Sequence, residues 1–396
     1  MINIAIRILF IGGILCLQAC SGREKPVDQS VDGTEFFTPS PSMVPAQEVF
    51  LLETGAPMPA FRLPGADGRY YSSDDFSDRD ALVIIFTCNH CPTAQAYEQR
   101  MMDIVEDYRQ KNVGLVAISP NSPAALLLEE CGYSDLGDSF EDMVIRARDA
   151  GFNFPYLYDG DDHAVSLQYG PVATPHAYVF DKDRKLVYSG RLDSTEKPGT
   201  AQAEDLRNAI DAALEGRSLE EPVTKTFGCS VKWAWKDEWT VRINEEWAGR
   251  EVTLENLNVD GVRALVANDS DKLRLINIWA TWCGPCVIEY PEFVDIHRMY
   301  QGRDFEFVSL SADKTEQRDR ALKFLRDKQS AVRNYIYDGP DMYALIEAID
   351  PEWDGALPYT MLVEPGGARI YRKMGVVDPL ELKRAIVEHP MIGRYY

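Results

Sequence analysis

Basic residues are scarce in this chain. Its 396 residues hold 41 lysines and arginines against 63 acidic side chains, a net charge of -22. Phosphate binding needs a basic footprint, so nucleic acid is excluded as a partner, and the excess acid describes a soluble, self-repelling surface. Histidine is rare, and His163, His176, His297 and His389 form no local ligand pattern. No glycine-rich loop sits between a strand and a helix, so no nucleotide site is expected. The N-terminal apolar run from Ile8 to Leu17 is too short to cross a bilayer. What remains is ordinary for a globular protein: 45% apolar and 26% charged residues, in a chain long enough for two full cores.

The short apolar run follows Arg7 and ends in Leu17-Gln18-Ala19-Cys20-Ser21. This resembles a bacterial lipobox, although Gln18 is a less usual occupant of its place. The resemblance implies that residues 1–19 are a signal segment and that Cys20 is lipidated as the new N-terminus. The mature chain then faces the periplasm, where disulfides persist. Ser21 rather than Asp after the lipidated Cys favours the outer over the inner membrane. Residues 20–47, rich in Ser, Pro, Asp and Glu, read as a flexible tether with a root-mean-square span of about 28 Å.

Cys16 goes with the signal and Cys20 takes lipid, which leaves six thiols. Four form two Cys-X-X-Cys pairs: Cys88-Asn89-His90-Cys91 and Cys283-Gly284-Pro285-Cys286. Each follows an apolar run suited to a buried strand, Leu82 to Phe86 and Leu273 to Trp279. Each precedes a helical pattern, carried by Tyr97, Met101, Ile104, Val105 and Tyr108 in the first half and by Tyr290, Val294 and Ile296 in the second. Further strands are expected at 113–119, 176–181, 185–190, 305–311, 359–364 and 369–374. Further helices are expected at 138–150, 203–215, 315–328, 340–349 and 379–388. The cysteine pairs are 195 residues apart (88 to 283) and Pro175 and Pro358 are 183 apart, so the fold reads as an internal duplication. The expected class is α/β: two thioredoxin-like three-layer α/β/α domains with central mixed sheets, at 48–233 and 251–396, joined by a polar, Trp-rich linker at 234–250.

The chemistry follows from placing a cysteine at a helix tip. Free backbone N–H groups and the helix dipole favour thiolate over thiol, and the second cysteine resolves a mixed disulfide. Cys283 and Cys88 are thus expected to attack, and Cys286 and Cys91 to resolve. Pro285 suits a first helical turn, and Trp282 offers an apolar docking face. The segment from Trp279 to Cys286, with Glu289 and Pro291, resembles the extracytoplasmic thioredoxins of the TlpA/ResA type. That resemblance implies proton handling by Glu289, since Asn277 stands where ordinary thioredoxins carry a buried Asp. It also implies a client-facing cis-proline loop at Leu357-Pro358-Tyr359.

Phe61 to Gly65, Phe86 to Pro92, Gly151 to Pro155 and Thr174-Pro175 resemble the redoxin (AhpC/TSA-like) branch of the same superfamily. Here His90, once protonated, stabilises the Cys88 thiolate, and Pro175 is the counterpart of Pro358. In the peroxiredoxins of this branch the peroxidatic Cys would match Cys91. Their neighbouring threonine, however, is Cys88 here, and the proline before it is Ile84. The expected function is thiol–disulfide exchange with protein clients, fed by a membrane electron donor; the alternatives are a peroxidase in the first half or a non-catalytic client-binding first half. The Gly-Pro pair resembles reducing thioredoxins and a His before the second Cys more oxidising ones, so electrons are expected to run from the second site to the first. Neither a metal nor another cofactor is expected. Cys131 and Cys229 read as buried thiols or a structural disulfide, or else Cys229 resolves Cys88.

Overall fold

The computed structural model describes residues 37–40, 42 and 44–395. The signal segment, Cys20 and most of the tether lie outside them. Among the described residues no helix is long and apolar enough to cross a membrane.

The first half begins with a small hairpin, β1 (Arg62–Pro64) with β2 (Tyr70–Ser72). It continues with β3 (Ala81–Phe86), α1 (Pro92–Asp107), β4 (Val113–Ser119), α2 (Phe140–Ala150), β5 (Tyr156–Tyr158), α3 (Ser166–Tyr169), β6 (His176–Phe180), β7 (Leu186–Gly190) and α4 (Glu204–Glu215). The second half comprises α5 (Asp237–Ala248), β8 (Glu255–Leu257), α6 (Val259–Ala267), β9 (Leu273–Trp279), α7 (Gly284–Tyr300), β10 (Phe305–Ser311), α8 (Arg318–Asp327), β11 (Arg333–Tyr337), α9 (Met342–Ile349), β12 (Tyr359–Val363), β13 (Arg369–Met374) and α10 (Pro379–Val387).

The sheets run β5-β4-β3-β6-β7 and β13-β12-β9-β10-β11-β8. In each, the central strand is parallel to one neighbour and antiparallel to the other: β3 to β4 and β6, β9 to β10 and β12. Reading the second order backwards and removing β8 gives the first, so the thioredoxin-like topology occurs twice. Both central strands are buried throughout: β3 is wholly apolar, and β9 is apolar except for the buried Arg274 and Asn277. Val83 and Ile85 share a core with residues of α1, α2 and α4, while Leu82, Ile84 and Phe86 face α3 and the first hairpin. In the second half, Ile276 and Ile278 pack on α6 and α9, and Leu273 and Leu275 pack on α7 and α10.

Two segments differ from expectation. The 234–250 stretch, read as a polar linker, carries α5 over most of its length. Trp247 is buried there, its Nε1 donating 3.0 Å to Gln329 O. The second difference lies at residues 126–135, which carried no expected element. Cys131 enters the apolar cluster of Phe293, Ile296, Met299 and Tyr300. Around it, Arg298 pairs with Glu129 at 2.9 Å, and Arg384 and Arg394 share the buried Asp135 carboxylate at 2.9 and 2.7 Å. Local periodicity could not reveal a loop whose partners lie more than 150 residues away.

Candidate redox sites

At the second site the strand–turn–helix path sets the sulfurs. β9 ends at Trp279, and Thr281 is held by Asp313 through its N–H at 2.9 Å and its hydroxyl at 2.8 Å. Cys283 is then the N-cap of α7, and its Sγ accepts the Cys286 N–H at 3.3 Å. Cys283 and Cys286 form a disulfide. Trp282 is 61% exposed beside it, and the following turn exposes Ile288. Leu357-Pro358 is a cis peptide whose leucine packs against the same cluster as the two cysteines. Pro358 O accepts the Gly375 N–H at 2.9 Å, which brings exposed Met374 and Val376 to this side of the fold. Met374 ends the edge strand β13 and Val376 lies just past it, so the sequence alone marks them only as solvent-facing.

Glu289 lies one helical turn beyond Cys286 and is only 5% exposed. One carboxyl oxygen accepts the Val377 N–H at 3.0 Å; the other is buried without a hydrogen-bond partner. Burial pushes the carboxyl up to about 7, against the opposing pull of the Val377 N–H and the Asn277 amide. A carboxyl near neutrality beside a disulfide can give or take a proton during exchange.

The first site uses a different register. β3 ends at Phe86 and α1 begins only at Pro92, so the N-cap is Cys91 rather than Cys88. Cys91 therefore occupies the place that Cys283 holds at the second site. The sulfurs of Cys88 and Cys91 lie within hydrogen-bonding reach of each other. Cys88 Sγ is 3.1 Å from Thr174 Oγ1, and Cys91 Sγ is 3.3 Å from Thr174 O, the residue before the cis bond to Pro175. Burial raises the Cys88 thiol well above its usual range, and the neighbouring Cys91 and Asp138 add to this. Hydrogen bonds from Cys229 and Cys88, with the charge of His90, hold Cys91 well below its usual range. The N-cap position and these contacts favour the thiolate on Cys91 over Cys88.

Asp138 is the functional residue that sequence reasoning missed. It stands just before Ser139, the N-cap of α2, where it reads as an ordinary acidic helix start. Instead it is buried. Its Oδ1 accepts the N–H groups of Asn89 and His90 at 2.9 and 3.0 Å, and its Oδ2 meets His90 Nδ1 at 2.6 Å and Asn121 Nδ2 at 2.7 Å. Burial alone would keep His90 neutral, yet Asp138 overrides it and raises the imidazole pKa. Cys88, His90 and Asp138 could each offer a ligand atom within 4.8 Å of the others. Both Asp138 oxygens, however, are already engaged by four donors, an arrangement that orients and charges His90. His176 lies inside the core, bonded to Ser189 at 3.0 Å and pushed down to about 3 by burial. Cys131 and Cys229 belong to separate clusters and do not pair; Cys229 packs on the cluster of Cys88 and Cys91, its N–H donating to Cys91 Sγ at 3.3 Å.

A thioredoxin-like fold with a cysteine pair at a helix tip defines the class of thiol-dependent redox proteins. The AhpC/TSA family model matches the chain twice, over residues 54–189 and 249–387, and the chain belongs to that family. It is similar to the thiol-disulfide oxidoreductase ResA of Oceanobacillus iheyensis, 28% identical over 134 residues, 32% of this chain and 55% of that protein. It is also similar to the thiol:disulfide interchange protein DsbE of Vibrio cholerae, 32% identical over 104 residues, 26% of this chain and 50% of that protein. The chain thus spans about half the length of these curated relatives. An uncharacterized conserved protein from Geobacillus kaustophilus, of known structure, is 36% identical, covering 48% of this chain and 97% of that one at a TM-score of 0.41.

Proposed function

We propose that this chain is an extracytoplasmic thiol–disulfide oxidoreductase that exchanges disulfides with protein clients at both cysteine pairs. One observation carries the reading: at each of two helix tips an N-cap cysteine has a partner sulfur in reach and a cis-proline loop nearby. At the second site Cys283 is the front thiol, resolved by Cys286; at the first, Cys91 carries the thiolate and exchanges with Cys88. Glu289 serves as proton carrier at the second site and His90 as charge partner at the first. Trp282, Pro358 and Pro175 line the client-facing side. The two domains are 48–233 and 251–396. Lipid on Cys20 tethers them to the outer membrane, and a membrane donor supplies electrons; support for both comes from the N-terminal sequence and family resemblance.

Insulin reduction driven by dithiothreitol tests the activity. The full chain should accelerate precipitation of the insulin B chain, and serine at all four pair cysteines should abolish this. Equal rates for the two proteins would sink the proposal. Labelling with a radioactive fatty acid, lost in Cys20→Ser, tests the anchor.

A second reading is favoured by the helix-tip position of Cys91 followed by Pro92, the arrangement of a peroxidatic cysteine. Stopped-flow peroxide consumption separates the two: a peroxidase would consume peroxide rapidly and lose that in Cys91→Ser, whereas a dithiol exchanger reacts only at the background rate of a thiol.

A further inference from the structure

Three cysteines, not two, meet at the first site, and they differ in access. Cys88 is 2% exposed and Cys91 0%, while Cys229 is only half-buried, the most exposed residue of the three.

The backbone shows how Cys229 is held. Thr174 and Cys229 form an antiparallel bridge, with the Thr174 N–H donating 2.9 Å to Cys229 O. The approach requires Gly228, which has φ +130°; a Cβ there would lie 2.1 Å from Thr174 O. The bridge uses the residue just before the cis-proline, an edge on which an extended peptide could pair as an added strand. The chain's own segment thus fills the place of a client strand and presents a cysteine from it. At the second site the matching residue, Leu357, makes no such bridge among the described residues. Finally, the Cys229 N–H donates 3.3 Å to Cys91 Sγ, and Cys229 packs on the cluster that holds both Cys88 and Cys91.

We infer that Cys229 is the entry thiol of the first site, taking a disulfide from the client and passing it to Cys91 as a Cys91–Cys229 bond. This rests on the dithiol-exchange reading of that site. Cys229 attacks a client disulfide R–S–S–R′; a Cys229–S–R bond forms as the S–S bond breaks, and the Cys229 proton passes to the departing sulfur, which leaves as R′–SH. Cys91 thiolate then attacks the Cys229 sulfur, so that Cys91–S–S–Cys229 forms and R–S⁻ leaves. Two electrons have passed to the client. Cys88 next attacks Cys91, its proton going to the released Cys229, which is free for another exchange.

The test uses the reduced full chain with Cys283→Ser and Cys286→Ser, which silences the second site. The probe is 5,5′-dithiobis(2-nitrobenzoic acid), followed by acid quench and peptide mapping. Adding Cys229→Ser should slow thionitrobenzoate release at least tenfold. Adding Cys88→Ser instead should yield a Cys91–Cys229 disulfide. In the chain with Cys88, Cys91 and Cys229 all present, limited iodoacetamide should label Cys229 first, a readout that does not depend on refolding a variant. Full-rate formation of Cys88–Cys91 in Cys229→Ser, or separate adducts on Cys91 and Cys229 in Cys88→Ser, would overturn the inference and leave dithiol exchange standing. If none of the three thiols reacts in the folded chain, both fall.

Discussion

Glu289 gives the sharpest quantitative prediction. Its carboxyl rises from an ordinary 4.5 to about 7 because it is buried with one oxygen unpartnered. At 1.36 kcal/mol per pH unit, the charged form costs the folded state at most about 3 kcal/mol. The sign is that of an acid with a raised folded pKa. Below about pH 4.5 both states are protonated and nothing is lost. Between 4.5 and 7 the unfolded chain ionises first, so stability falls as pH rises, and above 7 the loss is complete. Glu289→Gln keeps the acceptor for Val377 but cannot ionise. Its stability relative to the parent should therefore improve by about 2.5 kcal/mol between pH 5 and pH 8.5. Urea denaturation of the oxidised protein, followed by tryptophan fluorescence at both pH values, measures this difference directly. Any constant cost of the buried amide cancels in the comparison. A stability difference that does not change with pH would refute the raised carboxyl, and with it the basis for proton transfer by Glu289.

Three further outcomes follow from the contacts. Asp138→Asn removes the charge that keeps His90 protonated; in a Cys283→Ser/Cys286→Ser chain the thiolate absorbance at 240 nm should titrate at least one pH unit higher, and an unchanged midpoint would disconnect His90 from Cys91. Asp135→Ala leaves Arg384 and Arg394 without their shared carboxylate and should cost about 1–3 kcal/mol at pH 7, the low end allowing for the partial exposure of both arginines. Because Arg394 and Arg384 hold that carboxyl below its ordinary range against the cost of burial, its contribution is present at neutral pH and lost as acid protonates it, so urea midpoints of variant and parent should draw together as pH falls below the ordinary carboxylate range. Cys131, raised by burial between the two halves, should stay unlabelled by iodoacetamide at pH 8 until the protein is denatured; rapid native labelling would mean that the 126–135 contact opens readily.

The sequence by itself determined the fold and both cysteine pairs, because these rest on short-range signals. A predominantly apolar run of six or seven residues reads as a buried strand in such a pattern, and two residues between cysteines bring their sulfurs together. Tertiary structure alone decided which cysteine of the first pair carries charge. The turn after β3 is one residue longer than that after β9, and the offset of the pair within it shifts the N-cap from the first cysteine to the second. It also decided what surrounds that charge. Asp138 reaches His90 across 48 residues and Cys229 reaches Cys91 across 138. Contacts closed over such distances leave no periodicity in the chain, since the packing of whole elements, not local backbone preference, fixes them.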